Sequence, residues 1–271
     1  MGNYISIEFK NITTEQSEML IAELSQQNFE GFEEEENSLK AFIPEKDFDE
    51  TVLNEIASQH KLSFQISIIE ETNWNHVWES NFEPVVVDDF VSVRAEFHAP
   101  EKNAEHEIII TPKMSFGTGH HATTYMMIQQ MRDIDFKSKK VFDFGTGTGV
   151  LAILAEKLGA ENVLATDNDE WSINNAMENI ERNNCSKIEI QLSSVVPTKK
   201  KFNIILANIN KNVILENLLT LKNQLLPTGI LLLSGLLVDD KEDILTATEK
   251  IKLKVFNIIE RNNWLSIRLK N

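Results

Sequence analysis

The chain has 271 residues, with 42 Asp/Glu against 26 Lys/Arg, a formal net charge of −16 and 42% hydrophobic residues. That length and apolar content suit one large or two modest domains with real cores, and the single cysteine, Cys185, excludes an internal disulfide or a cysteine-rich metal site. No apolar run approaches the ~20 residues that cross a bilayer, and the first residues lack the basic-then-apolar build of a signal peptide, so a cytoplasmic protein with no membrane partner is expected.

In chain order, Ile5, Ile7 and Phe9 alternate as a strand. Thr13 with Gln16 forms a capping-box pattern ahead of Met19, Leu20 and Leu24 at helical spacing. Phe29 to Glu35 and Leu39 to Ile43 read as a hairpin turning at Asn37-Ser38, Asp47 as the cap of a helix bearing Val52, Leu53 and Ile56, and Leu62 to Ile69 as a closing strand. The order β-α-β-β-α-β predicts a ferredoxin-like α+β domain over residues 1–70. That stretch carries 15 acidic and 4 basic residues. Phosphate backbones demand basic side chains, so no direct nucleic-acid binding is expected, and a basic protein partner suits it better. Residues 71–84 read as a helical linker whose Trp74 and Trp78, four apart, share a face.

From residue 85 to 271 the pattern changes. Short strands (Val85–Val87, Phe90–Arg94, Glu107–Ile110) precede a helix at Tyr125–Met131. Val141-Phe-Asp-Phe-Gly-Thr-Gly-Thr-Gly149 then reads as a strand running into a glycine turn, followed by a helix to Leu158 and a strand Asn162–Thr166 ending at Asp167. A helix from about Asp169 to Arg182, a strand Phe202–Leu206, a helix Asn212–Leu225, a strand Ile230–Ser234 and a helix Lys241–Lys250 follow, and two strands, Lys254–Glu260 and Trp264–Leu269, close the chain. Alternating strands and helices predict an α/β, Rossmann-like open sheet with an antiparallel edge.

The glycine turn carries the chemistry. Glycines let backbone approach a ligand at a helix N-terminus, and the distal carboxylate, Asp167, can hold a ribose hydroxyl pair. The spacing Gly145-x-Gly147-x-Gly149 differs from the Gly-x-Gly-x-x-Gly of dinucleotide enzymes, and Asp143 is better placed to meet a cationic amine than a pyrophosphate. The pattern favours S-adenosyl-L-methionine over a nicotinamide, although an oxidoreductase would use the same crevice. A second glycine-rich segment, Phe116-Gly-Thr-Gly-His-His-Ala-Thr-Thr124, reads as a loop closing over the cofactor with Thr124 as a polar contact. Its adjacent histidines lack the companions of a metal site. Asn208 ends the strand Ile204–Asn208, where it offers an acceptor and donors to an incoming amine or, alternatively, an ordinary helix cap.

These three elements, with Glu71-x-x-Trp74-x-x-x-Trp78 and the two-part layout, resemble the PrmA family of bacterial ribosomal protein methyltransferases over essentially the whole chain. The resemblance implies methylation of amino groups on large-subunit ribosomal protein eleven, by transfer from S-adenosyl-L-methionine. It implies cofactor contacts at Thr124, Gly145, Asp167 and Asn208, with His121 as the loop histidine; the residues themselves add Asp143, Gly147 and Phe116 to the expected cofactor site and assign Asn208 to orienting the amine as the catalytic residue. It also implies substrate recognition by residues 1–70 and a linker that lets the domains reorient, and a monomer is expected. Residues 208–211 read Asn-Ile-Asn-Lys rather than the Asn-Pro-Pro-aromatic tetrad of base methylation. A methyltransferase for another protein, RNA or a small-molecule amine is the alternative, and a non-catalytic ribosome-assembly binder a further one.

Overall fold

A computed structural model describes residues 3–35, 37–69, 82–112 and 117–271; Trp74, Trp78 and Phe116 lie outside them. The chain divides into two compact units, Met1–Glu79 and Ser80–Asn271. Among the described residues no helix is long and apolar enough to cross a membrane.

The first unit runs β1 (Tyr4–Lys10), α1 (Thr14–Leu24), β2 (Gly31–Glu35), β3 (Ser38–Pro44), α2 (Glu50–His60) and β4 (Phe64–Ile69). Its four strands form an antiparallel sheet in the order β2-β3-β1-β4. The capping box forms as expected: the Thr13 hydroxyl accepts from the Gln16 N–H at 3.3 Å and the Gln16 side chain accepts from the Thr13 N–H at 2.9 Å. The cap of α2 differs from expectation. Asp49, not Asp47, accepts from the Thr51 N–H at 2.8 Å, because Glu45–Asp47 is spent in a 3-10 turn and Phe48 then runs extended. Ile5, Ile7 and Phe9 bury one sheet face against Leu20, Leu24, Leu53 and Ala57, each full burial contributing about 1.5–3 kcal/mol.

The second unit opens with β5 (Val85–Val87), β6 (Val91–Ala95) and β7 (His106–Ile110), a small sheet in that order. There follow α3 (Ala122–Met131), β8 (Lys140–Phe144), α4 (Val150–Lys157), β9 (Asn162–Asp167), α5 (Glu170–Arg182), β10 (Ile188–Leu192), β11 (Phe202–Asn208), α6 (Lys211–Gln224), β12 (Leu225–Leu237), α7 (Lys241–Lys250), β13 (Lys254–Arg261) and β14 (Trp264–Lys270). Seven strands form one sheet, β10-β9-β8-β11-β12-β14-β13, parallel through β12 and antiparallel at β14 and β13. Strand periodicity sorts its side chains between two cores. Val141, Ile204 and Leu206 join α3 and α4 on one face, whereas Phe142, Ile205 and Ala207 join α6 and α7 on the other.

This strand order fixes where a ligand can sit. From β8 the chain winds outward through β9 to β10, then returns to the other side of β8 as β11. The connections therefore diverge between β8 and β11, and a crevice opens beyond their carboxyl ends. Strand β10 went unpredicted.

Candidate functional site

The glycine turn leaves β8 at this divergence. Gly145 has φ +77°, and a Cβ there would collide with the Ile209 Cγ2 methyl, so no larger residue fits without backbone strain and displacement of the Ile209 side chain after β11. The N–H groups of Gly145 and Thr146 both donate to the Thr166 carbonyl, at 2.8 and 2.9 Å. The Gly147 N–H donates to Asp167 Oδ2 at 2.9 Å, and the Asp169 N–H donates to Asp167 Oδ1 at 3.1 Å. Asp167 is therefore tied to the turn it faces, at the C-terminal end of β9.

Asp143, the penultimate residue of β8, has no solvent exposure. Its Oδ2 accepts from the Thr146 hydroxyl at 2.6 Å, and its Oδ1 finds no hydrogen-bond partner among the described residues. Burial pushes its carboxyl up to about 7, with Asp167 adding to the rise and the Thr146 hydrogen bond opposing it.

Asn208 ends β11 beside β8, whose Phe144 pairs with Ala207. The side chain is buried, and its Nδ2 donates to the equally buried Thr124 Oγ1 at 3.3 Å. Its Oδ1 has no partner among the described residues. The alternative reading of Asn208 as a helix cap fails, because α6 is capped by Asn210, which accepts from the Val213 N–H at 3.1 Å.

Thr124 occupies the first turn of α3, which begins one turn earlier than its hydrophobic pattern suggests. His121 caps that helix, accepting from the Thr123 N–H at 3.4 Å, and its ring meets Trp264 edge-on at 4.7 Å between centroids. His120 points elsewhere, to the Glu83 carbonyl at 2.9 Å and the Phe82 ring. The two histidines therefore do not converge, and no group of three or more His, Cys, Asp or Glu able to hold a metal is found among the described residues.

A pocket of ≈ 460 Å³ opens at the carboxyl ends of these strands, with Phe144, Gly145, Asp167, Ser193, Val195 and Ile209 among its lining. Of the residues singled out from sequence, Gly145 and Asp167 line it directly. Asp143, Gly147, Thr124 and Asn208 are not among its lining residues, and Phe116 lies outside the described residues. Ser193 and Val195 were missed with β10. The alternation Ile188, Ile190, Leu192 was their only signal.

A model of the family described as "Ribosomal protein L11 methyltransferase (PrmA)" matches residues 3–271. The chain is 37% identical over 259 residues to a ribosomal protein L11 methyltransferase of Porphyromonas gingivalis, covering 93% of this chain and 89% of the relative. It is 38% identical over 280 residues to one of Chlorobaculum parvum, covering 97% and 95% respectively. The crystal structure of a ribosomal protein L11 methylase from Lactobacillus delbrueckii subsp. bulgaricus superposes with a TM-score of 0.65 at 27% identity, covering 69% of this chain and 98% of that one.

Proposed function

From this chain's place in the PrmA family, to which it belongs as a ribosomal protein L11 methyltransferase, we propose how its own residues perform the reaction. It is an S-adenosylmethionine-dependent enzyme that methylates ribosomal protein L11. The observation that carries our reading of the site is the buried Asn208 Oδ1, an acceptor with no partner among the described residues, held by Thr124 at the divergence of the sheet. An acceptor left so costs about 1–3 kcal/mol, and an N–H donor reaching it recovers that cost.

Two pocket-lining residues, Gly145 and Asp167, and the neighbouring residues of the glycine turn fit the cofactor. Asp167 at the end of β9 would take the ribose hydroxyls, Gly145 and Gly147 would let backbone approach the amino-acid end, and the unpartnered Asp143 Oδ1 would face its ammonium group. Phe116, Thr124 and His121 belong to the segment assigned to cover it. Bound S-adenosylmethionine supplies a methyl group made electrophilic by its sulfonium. Asn208 Oδ1 would accept an N–H of the substrate amine and so aim its lone pair. A lysine amine titrates at ~10.4 in water, and burial in this crevice disfavours its charged form. No general base is assigned. Orientation by Asn208 and Thr124 would supply much of the acceleration.

The strand order β2-β3-β1-β4 within a β-α-β-β-α-β chain supports a ferredoxin-like domain over residues 1–70, ahead of a linker at 71–84 and a transferase domain at 85–271. We assign that acidic domain to recognising the basic protein substrate. A cytoplasmic monomer that needs no nucleic-acid contact is the simplest enzyme consistent with this division.

The test is steady-state kinetics of Asn208→Ala on purified ribosomal protein L11, with products followed by mass spectrometry. Turnover should fall about 100-fold while cofactor affinity changes less than about threefold. Equal losses in both would remove Asn208 from the chemical step.

A further inference from the structure

Three asparagines, Asn175, Asn179 and Asn183, follow one another at helical i, i+4 spacing along α5 and its end, all buried. Buried amides are costly unless bonded, and two of these, Asn179 and Asn183, reach the free edge of β7 and the residue after it. Asn183 Oδ1 accepts from the Ile109 N–H at 3.0 Å and its Nδ2 donates to the Ile109 carbonyl at 2.6 Å. Asn179 Oδ1 accepts from the Thr111 N–H at 2.7 Å. The two ladders keep step for a geometrical reason. Four helical residues rise about 6 Å and two strand residues about 6.6 Å, so successive asparagines meet alternate strand residues.

Asn179 does something Asn183 does not. Its Nδ2 donates to the Thr148 carbonyl, in the glycine turn, at 2.8 Å. The Thr148 hydroxyl in turn donates to the Gly117 carbonyl at 2.7 Å. A Cβ on Gly117 would sit 2.7 Å from that same hydroxyl oxygen, so the approach requires glycine. One side chain thus joins the end of β7, the glycine turn and, through Thr148, the segment leading to Thr124.

We propose that Asn179 is a positioning residue for cofactor binding: it fixes the glycine turn against β7 and, through Thr148, against the segment that begins at Gly117. It is not among the residues lining the ≈ 460 Å³ pocket. The inference rests on the reading that the glycine turn holds S-adenosylmethionine.

Calorimetry with S-adenosylmethionine on the full-length chain tests it, with Asn183→Ala as the internal control, because that variant breaks the same ladder without reaching the turn. Asn179→Ala should bind the cofactor at least about tenfold more weakly, the loss of one buried hydrogen bond, while kcat at saturating cofactor changes much less. Asn183→Ala should bind as wild type does even where its melting temperature falls as far. Equal weakening by both variants, or unchanged binding by Asn179→Ala, overturns the inference. Where Asn179→Ala does not fold, Thr148→Val and Thr148→Ser decide. Weak binding by the valine variant with recovery by serine supports the relay, and equal binding by the two overturns it. A wild-type chain that binds no cofactor overturns the reading of the site and the inference with it, whereas binding that every variant shares overturns the inference alone.

Discussion

At Asp143 two demands conflict. The residue lies one short of the end of a buried strand, where a neutral side chain is most stable, yet our reading asks it to face an ammonium group. Its carboxyl lies at about 7 instead of the ordinary 3.8, chiefly through burial. Between those values the folded chain keeps a proton that the unfolded chain has released, so this group's contribution to stability is complete below about pH 4 and is lost as pH rises through about 7. Asp143→Asn stays neutral throughout, so its melting temperature should gain on wild type between about pH 4 and pH 7. Thermal melts across that range check this, and parallel curves would contradict it. An ammonium group reverses the balance by favouring the carboxylate. Cofactor affinity should therefore fall as pH drops below about 7, by up to about tenfold per unit, and Asp143→Asn should lose that dependence. Calorimetry at a series of pH values reads the outcome, and identical profiles for both chains would detach Asp143 from the amine.

Among the elements, the glycine turn and the end of β11 hold each other in place. Gly145 combines a left-handed φ with a contact that leaves no room for Cβ against Ile209, so Gly145→Ala strains the backbone and pushes on the segment carrying Asn208. Cofactor binding should weaken by at least about tenfold, from strain of about 1–3 kcal/mol. Adding Ile209→Ala removes the collision but not the strain, so the double variant should recover only part of the loss. Full recovery in a binding titration would show that crowding alone requires glycine. Both partners of this contact were visible as residues, one in a glycine motif and one after a strand that an open sheet sets beside the turn, as β11 does, but the side-chain collision itself was not, since it depends on the exact backbone path after β11. The same reason hid other parts of the site. Apolar strands flanked by turns, such as β8 and β11, announce themselves by composition. Strand β10 is a short, largely exposed edge of five residues whose only mark is the alternation of Ile188, Ile190 and Leu192 with Glu189 and Gln191, and with it went Ser193 and Val195. The caps were displaced by two residues, with Asp49 in place of Asp47 and Asn210 in place of Asn208, because competing acceptors stand close together and local backbone geometry decides between them.

Over the whole molecule, charge is the property that one sequence count made plain, and our reading assigns it to substrate recognition. Residues 1–70 hold 15 of the 42 acidic residues but only 4 of the 26 basic ones. Under the proposal that this domain recognises the substrate, a protein that neutralises RNA phosphates would carry the opposite sign, and the fields of enzyme and substrate would be complementary. Complementary fields mainly speed encounter, and salt screens them over about 8–10 Å. Glu15, Glu18 and Glu33 are exposed, and no ion pair involves them among the described residues. Replacing all three by glutamine in the full chain leaves the cofactor site untouched. The KM for ribosomal protein L11 should rise several-fold at about 0.05 M salt and converge with wild type near about 0.5 M, where the Debye length shrinks to roughly 4 Å. The KM for S-adenosylmethionine should stay constant throughout. A gap between the two enzymes that persists at high salt would mean that these carboxylates make direct contacts instead of acting at a distance. No gap at low salt would move substrate recognition away from this acidic surface altogether.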